Sequence, residues 1–195
     1  MYKKYQFPLF LFIILEKSSI TFWTSKILNP NHFICLMDKS WIYLINQILK
    51  NEVFLAKSAL VENSSVDTIS FSNDNFLINF FSKHNRNLVY YSYYMYFMKI
   101  RLTLFYFCNN AGNIISGGLT SIDRIYKNAN WLERETSEMY GIYYYWKSDT
   151  RKLLLDYTKH ENPLLKDFPS EGFQDVFYNF FENQVTINQN EVVEL

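Results

Sequence analysis

Apolar residues recur at a helical spacing near position 45. In the segment SWIYLINQILKN, residues 40–51, the apolar positions i, i+3, i+4, i+7 and i+8 are Trp41, Leu44, Ile45, Ile48 and Leu49. Side chains at these positions share one face of an α-helix, so the pattern predicts an amphipathic helix. Ser40 precedes the first apolar residue and is the predicted N-cap.

The helical period returns after residue 120. The segment SIDRIYKNANW, residues 121–131, is predicted to be helical, and a second short helix is predicted over residues 131–140. Asn130 is in position to cap the start of this second helix. Gly141 is predicted at its C′ position, where the left-handed backbone conformation favours glycine.

Alternating apolar and polar residues predict strands between these helices. In VDTISFS, residues 66–72, Ile69 and Phe71 are predicted to face inward. A longer apolar run covers residues 87–107, and its second half alternates from Met98 to Leu104, which indicates a half-buried strand. Its first half is apolar on both faces, which predicts a central strand or one covered on its outer side.

The order of these elements predicts the fold class. CNNAGN, residues 108–113, is typical of a turn, after which Ile114 and Ile115 resume a strand that Gly117–Gly118 ends. Helix, strands and helix in sequence predict an α+β fold, most naturally a ferredoxin-like α/β sandwich. The predicted parts are an N-terminal arm (1–38), an α/β domain (39–126), a Glu-Arg-Glu helix with a signature segment (127–169) and an extended tail (170–195).

The tail contains apolar residues but no helical stripe. Ordering about 25 residues costs on the order of 30 kcal/mol, at about 1–2 kcal/mol per residue. Offsetting this at ~25 cal/mol/Å² requires about 1,200 Å² of apolar burial, which is the scale of a protein–protein interface. We therefore expect the tail to stay loose or to lie along a partner.

The N-terminus begins with two lysines and an apolar run from Phe7 to Leu15. Nine residues resemble the apolar region of a signal peptide, but a bilayer-spanning helix needs about 20. No small-residue cleavage site follows, and the first arginine is Arg86. We favour a helix or strand packed on a partner, with a disordered arm, or a signal segment or membrane anchor, as alternatives.

Composition sets broader limits. The 195 residues are 49% hydrophobic and include 18 Phe and 16 Tyr, residue types with AT-rich codons, which suggests an organelle genome. Drift toward these residues at core positions is the simplest explanation of the aromatic clusters. The 19 basic and 19 acidic residues give zero net charge, which argues against a protein that grips nucleic-acid phosphates.

Cysteine and histidine are too scattered for a metal site built from local motifs. Cys35 and Cys108 form no CxxC pair, and His32, His84 and His160 are equally far apart. Structural zinc and iron–sulfur sites usually need four such ligands at short spacings. The unpaired spacing is typical of a reducing compartment.

The most charged stretch is WLERETSEMYG, residues 131–141, and it admits three interpretations. A catalytic carboxylate pair, Glu135 with Glu138, would need a nucleophile or a third group that no recognisable spacing supplies. A metal site with His160 would need repeated Glu-x-x-His, which is absent. A scaffold in which Arg134 pairs with Glu138 or a later carboxylate is the interpretation we favour.

The surrounding pattern resembles one known family. The order Glu133-Arg134-Glu135, Glu138, Met139-Tyr140, Lys147, Arg151 and Leu153 is similar to the signature of respiratory complex I subunit nine. This is the thirty-kilodalton subunit of NADH:ubiquinone oxidoreductase, which has a bacterial counterpart. The further residues that fit it are Trp131, Gly141, Asp156, Tyr157, Pro163, Lys166, Asp167, Phe168, Pro169 and the ending 192–195.

The chain departs from this pattern at two places. It has Lys147-Ser148-Asp149-Thr150-Arg151-Lys152 where the family usually has His-Pro-Asp-Leu-Arg-Arg. It also lacks the family's basic residue at Leu165. The retained Lys166-Asp167-Phe168-Pro169 favours the mitochondrial or bacterial branch over the chloroplast one.

The resemblance implies a function without a catalytic site in this chain. Members bind no flavin (FMN), iron–sulfur cluster or ubiquinone themselves, and a compact α/β domain is followed by a segment that wraps the forty-nine-kilodalton subunit. We therefore expect a structural subunit of the matrix-side peripheral arm, with the signature charges locking the tail and its partner. The alternatives are a ferredoxin-like RNA-binding module using the aromatic strands, and the equivalent subunit of a membrane-bound hydrogenase.

Overall fold

A computed structural model describes residues 19–24, 32–51, 58–70, 86–96, 99–108, 117–157 and 161–190. Five strands form one sheet in the order β1-β2-β5-β4-β3. β2 and β5 are parallel, and the other neighbouring pairs are antiparallel. The strands are β1 (Ser19–Thr24), β2 (His32–Met37), β3 (Ser58–Asp67), β4 (Asn87–Met95) and β5 (Ile100–Cys108).

The apolar run 87–107 supplies the centre of this sheet. β4 lies between β3 and β5, so its first half is a central strand, as the apolar pattern predicted. In β5 the even-numbered residues from Ile100 to Cys108 are buried and Arg101 is exposed, which confirms the predicted alternation. Lys99, in a turn directly before β5, takes a positive φ of 54°.

Helix α1 (Ile42–Asn51) exists where it was predicted, but it begins two residues after Ser40, and only part of its predicted apolar face, including Ile45 and Leu49, is buried. A 3-10 turn, Lys39–Trp41, precedes it, and the Ser40 hydroxyl donates to the Asp38 carboxylate. The buried face is Ile42, Ile45, Asn46 and Leu49, whereas Trp41 and Leu44 are exposed.

The strand predicted at residues 66–72 was also misplaced. β3 ends at Asp67, and residues Thr68–Ser70 form a 3-10 turn. Ile69, predicted to face inward, is exposed. The reason is Asp67, whose carboxylate accepts the Ile69 backbone N–H at 3.1 Å and turns the chain out of the sheet.

Helix α2 (Ala129–Tyr140) carries the signature charges. Its predicted end is confirmed, since Gly141 has a φ of 70° and its N–H donates to the Ser137 carbonyl at 2.9 Å. The helix predicted over residues 121–128 is wrong, because these residues form turns. The Asn130 cap is wrong too, since Asn130 lies inside the helix.

The core lies between the helices and one face of the sheet. It confirms the predicted α+β sandwich, and Tyr91, Tyr93 and Tyr106 are fully buried in it. Strands β1 and β2 both precede residue 39, where the sequence placed the start of the domain. A second small sheet pairs β6 (Leu119–Thr120) with β7 (Tyr144–Tyr145) in parallel.

The predicted extended tail forms a hairpin of two strands, β8 (Gln174–Asn179) and β9 (Gln184–Gln189), which we call the C-terminal hairpin. Several predictions lie outside the described residues: the turn at 108–113, the strand at 114–115, Phe71, Met98, His84 and His160, the ending 192–195, and the arm over residues 1–18.

Candidate functional site

The centre of the site is a buried ion pair between α2 and the loop that follows β7. Glu133 is fully buried, and its carboxylate lies 3.1 Å from Lys147 Nζ. The Ser121 hydroxyl donates to Glu133 Oε2 at 2.5 Å, and the Ile122 N–H donates to Oε1 at 2.9 Å. Lys147 also donates to the Asn130 carbonyl at 3.0 Å.

This pair is a structural joint. Burial raises the pKa of Glu133, while Lys147 and the two hydrogen-bond donors act in the opposite direction. Burying one charge without a partner is strongly unfavourable, so each member of the pair fixes the position of the other. Helix α2, the turn at Ser121 and the start of the following loop are therefore tied together at one point.

A second carboxylate organises the rest of that loop, residues 147–157, which we call the signature loop. Glu138 accepts three consecutive backbone N–H groups, from Leu153, Leu154 and Leu155, at 2.9, 2.9 and 2.5 Å. Burial opposes ionisation of Glu138, but the three donors hold its pKa below the ordinary value. The carboxylate thus replaces the partners that these amides would otherwise find in water.

Arg134 holds the middle of the signature loop. Its guanidinium donates to the carbonyls of Arg151 and Lys152 at 2.8 and 3.0 Å, and it approaches Asp149 at 3.5 Å. Of the two predicted alternatives for its partner, Glu138 is occupied by the loop amides, and Asp149 is the later carboxylate. Asp149 also pairs with Arg151 at 2.8 Å, and this hydrogen-bonded pair holds the pKa of Asp149 well below its usual range.

Asp123 fixes the loop at its start. Its carboxylate accepts the Ser148 N–H at 2.8 Å and the Ser148 hydroxyl at 2.5 Å. Burial opposes ionisation of Asp123, yet the Ser148 hydrogen bonds keep its pKa below the ordinary value. Asp123 was not among the predicted site residues, since a lone aspartate in a supposed helix carries no signal.

A second charged cluster joins the sheet to the segment 161–169. Arg86 bridges Asp67 at 2.8 Å and Asp167 at 2.5 Å, and the Lys166 N–H donates to Asp67 at 3.0 Å. Burial opposes ionisation of Asp67, but Arg86 and two backbone donors keep its pKa low. Sequence analysis missed Asp67 and Arg86, because they lie far from their partners along the chain.

The remaining predicted residues lie around these two clusters. The Lys152 ammonium donates to the Asp156 carbonyl at 2.8 Å, and the Tyr157 hydroxyl donates to the Lys152 carbonyl at 3.3 Å. Gly141 is close-packed, since a Cβ there would lie 2.8 Å from the Asn162 side chain. Glu135 and Trp131 are exposed, Tyr140 and Pro163 are partly buried, and Phe168 meets Phe173 edge-on while Pro169 follows it.

The geometry gives little support to acid–base chemistry at this site. Of the carboxylate pair considered above, Glu138 is saturated by backbone donors and Glu135 is exposed. A cleft of about 330 Å³ is lined by Arg134, Glu138 and Lys147, whose charged groups already contact atoms of this chain. Within the described residues, no group of three or more His, Cys, Asp or Glu is arranged to hold a metal ion.

Two further facts bear on the surroundings of the chain. Both cysteines, Cys35 and Cys108, are buried and form no disulfide with each other. Among the helices that the structure describes, none has the length and apolar character to cross a membrane.

Comparison with known proteins identifies relatives over the whole chain. Residues 36–174 match the family model described as respiratory-chain NADH dehydrogenase, 30 kDa subunit. NADH-ubiquinone oxidoreductase subunit 9 of Paramecium primaurelia is 38% identical, over 98% of this chain and 88% of its own length. The Paramecium tetraurelia protein of the same name is 36% identical over the same shares.

A solved structure agrees with these relatives in fold. A chain in the structure of the membrane-bound sulfane sulfur reductase, an archaeal respiratory membrane complex, shares the fold with a TM-score of 0.59. It is 16% identical, and the match covers 83% of this chain and 85% of that one. None of these proteins supports the RNA-binding alternative.

Proposed function

The chain belongs to the family of the 30 kDa subunit of respiratory-chain NADH dehydrogenase, and we propose that it is a structural core subunit of the peripheral arm of that complex. It is thus part of an oxidoreductase complex, NADH-ubiquinone oxidoreductase. By this proposal it holds the quinone-reducing module in place while electrons pass from NADH to ubiquinone. The forty-nine-kilodalton subunit is its main partner, on the matrix side of the mitochondrial inner membrane.

The observation that carries this proposal is the state of the signature charges. Glu133, Glu138, Arg134 and Lys147 all contact atoms of their own chain, in the contacts described above. Charges in such contacts are poor candidates for reaction with a substrate, but they build a rigid surface. This supports a scaffold, and it supports a chain that binds no cofactor itself, with FMN, iron–sulfur clusters and ubiquinone bound elsewhere in the complex.

The C-terminal hairpin supplies the surface for the partner. Val176, Tyr178, Val185 and Ile187 pair across the two strands and are all at least 48% exposed. Phe181 at its turn is 99% exposed. An isolated two-stranded hairpin is at best marginally stable in water, so a hairpin with this apolar surface needs a neighbouring chain. By our proposal that chain is the forty-nine-kilodalton subunit.

The test is the variant Arg134→Ala in the assembled complex. Loss of its bonds to the Arg151 and Lys152 carbonyls should loosen the signature loop and lower the amount of assembled complex. The redox centres of the complex that does assemble should keep their spectra, because this chain holds none of them. The matched control is Glu135→Ala on the same helix, which should assemble normally. Normal assembly of Arg134→Ala with a selective loss of quinone reduction would contradict the proposal.

A further inference from the structure

The C-terminal hairpin is joined to the domain through a run of turns over residues 162–173, which we call the bracket. The Phe168 N–H donates to the Leu165 carbonyl at 3.2 Å, and the Gly172 N–H donates to the Pro169 carbonyl at 3.0 Å. Gly172 has a φ of 72°, which glycine adopts without strain. The bracket is therefore folded on itself before the hairpin begins.

The root of the hairpin, Phe173 and Asn190, is tied to the bracket from both strands. Phe173 precedes β8 and Asn190 follows β9, and the Asn190 N–H donates to the Phe173 carbonyl at 3.0 Å. The Asn190 side-chain amide donates to the carbonyls of Glu171 and Gly172 at 3.2 and 3.4 Å. The Phe168 and Phe173 rings meet edge-on with their centroids 5.3 Å apart. The position of the bracket therefore fixes where the hairpin leaves the domain.

One guanidinium fastens the bracket to the sheet. Nη1 and Nη2 of Arg86 donate to the two carboxylate oxygens of Asp167 at 3.0 and 2.5 Å. Nε and Nη2 of the same side chain donate to the two carboxylate oxygens of Asp67 at 3.3 and 2.8 Å. Two carboxylates are thus bound at two edges of one planar group, a geometry that arginine provides and lysine does not.

The two ends of this bridge differ in burial. The Asp67 side chain is fully buried, whereas the Asp167 side chain is 59% exposed. The Thr68 N–H and hydroxyl donate to the Arg86 carbonyl at 2.9 and 2.7 Å, which holds the Arg86 backbone at the end of the sheet. Asp67 and Arg86 therefore belong to the domain, and Asp167 is the end whose removal leaves the buried pair intact.

Asp167 is also the last anchor of the bracket before the hairpin. Ahead of it, the Leu164 N–H donates to a carbonyl of α2 at 3.2 Å, and the Lys166 N–H donates to Asp67 at 3.0 Å. Beyond it, the hydrogen bonds between described residues all stay within residues 165–190. The direction in which the root leaves the domain therefore depends on the Asp167 carboxylate.

We infer that Arg86 is a positioning residue: through Asp167 it holds the root of the C-terminal hairpin in the direction from which the hairpin meets the neighbouring subunit. The inference rests on the proposed function, which makes that subunit the partner of the hairpin. A segment oriented beforehand loses less freedom on binding, and apparent affinity falls in proportion to the fraction of molecules that have the competent orientation. The strands of the hairpin need not be ordered for this, because the root alone sets the direction.

A distance between two spin labels on the free full-length chain measures the direction of the root. The labels are attached at Gln47→Cys on α1 and at Glu171→Cys in the bracket, two exposed positions. Glu171 binds Asn190 through its backbone carbonyl, which the substitution retains. The native Cys35 and Cys108 are buried and should react slowly with the label.

Double electron–electron resonance should give a narrow distance distribution for this labelled chain. The added variant Asp167→Ala should broaden the distribution, because the root loses its last anchor. The matched control is Glu135→Ala, which also removes an exposed carboxylate and should leave the distribution narrow. A distribution as narrow in Asp167→Ala as in the control would overturn the inference, because other contacts would then fix the root.

Two measurements on unlabelled Asp167→Ala separate positioning from folding. The free chain should melt within about 4 °C of wild type, because the lost pair is partly exposed and Asp67 keeps Arg86. A much lower melting temperature would assign the contact to the fold and overturn the inference. Retention of the variant in the complex through a salt wash should fall by up to about fivefold, since a pair of this exposure contributes at most about that factor to an equilibrium.

The retention measurement also separates this inference from the proposed function. Normal retention of Asp167→Ala despite a broadened distribution would overturn the inference, because the direction of the root would then not matter for binding. Absence of the wild-type chain from the purified complex would instead overturn the proposed function.

Discussion

The signature loop and the C-terminal hairpin are both segments without a hydrophobic core of their own, but they are stabilised in opposite ways. The loop is held by Glu133, Arg134 and Glu138 of α2, through an ion pair and bonds to backbone groups. The hairpin has its ladder of backbone bonds and exposes its apolar residues on both strands. The signature loop finds its stabilising contacts within the chain, whereas the apolar side chains of the hairpin remain exposed.

This difference shows where the family's charged residues act. A charged signature in a subunit of a large complex suggests contacts between chains, but here Glu133 and Glu138 are buried against atoms of their own chain, whereas the apolar side chains of the hairpin are exposed. Charges buried with their partners give a fixed shape, whereas exposed apolar surface gives affinity. The charges therefore define the shape of the surface, and the aromatic and aliphatic residues are available to bind.

The largest expected effect comes from breaking the buried pair. Glu133→Ala leaves the Lys147 ammonium buried without its partner and should lower the free energy of unfolding of the full-length chain by about 3–5 kcal/mol. Urea denaturation followed by tryptophan fluorescence measures this change.

Two variants serve as controls for that result. Glu135→Ala, nearby on the same helix and exposed, should change stability by less than about 0.5 kcal/mol. The double variant Glu133→Gln with Lys147→Met should recover much of the loss, because a neutral pair leaves no unpaired charge. Equal effects of Glu133→Ala and Glu135→Ala would mean that the Glu133–Lys147 ion pair does not stabilise the fold.

The second largest effect is expected at the carboxylate that binds the loop amides. Glu138→Gln keeps the shape and one accepting oxygen, but its NH2 group must face either the Leu155 N–H or the Leu153 and Leu154 N–H groups. It should cost about 1–3 kcal/mol. Glu182→Gln on the exposed turn of the hairpin is the matched control and should be nearly neutral. An unchanged midpoint for Glu138→Gln would show that water replaces the carboxylate without loss.

The parts of this site that sequence could predict are the local ones. The end of α2 at Gly141 follows from glycine's tolerance of positive φ, and the signature charges were found by their order. The partners of the signature charges could not be predicted, because Asp67 and Arg86 are far from Asp167 in sequence and meet it only in the folded chain. The buried face of α1 was predicted only in part, because buried Asn46 bonds to the Ile42 carbonyl and the Tyr93 hydroxyl, which hydropathy does not show.

A pH titration tests the hydrogen-bonded carboxylates, and its expected effect on stability is smaller than that of the two variants above. Asp67, Asp123 and Glu138 have folded-state pKa values below the ordinary 3.8, 3.8 and 4.5. Their contribution to stability is therefore complete above about pH 5 and is lost as the pH falls through the folded values. The loss is ~1.4 kcal/mol for each pH unit that separates the folded pKa from the unfolded one. Denaturation midpoints at pH 7 and pH 3.5 should differ less in Glu138→Gln than in wild type. An equal difference would mean that Glu138 contributes nothing to the acid sensitivity of the fold.

The smallest effect on stability is expected from removing the hairpin. Truncation after Phe173 should change the free energy of unfolding of the remaining domain by less than about 1 kcal/mol, because the lost side chains are mostly exposed. The truncated chain should still fail to enter the complex. A strongly destabilised truncation would place the hairpin in the fold of the domain and remove the contrast between the two segments.

Amide hydrogen exchange on the isolated full-length chain tests the central claim most directly. If the signature charges act within the chain, the amides of Leu153, Leu154 and Leu155 are protected at least about a hundredfold without any partner, while those of residues 174–189 exchange nearly as fast as an unfolded chain. Fast exchange at Leu153–Leu155 that slows only in the assembled complex would contradict the claim, because the loop would then be ordered by its neighbour.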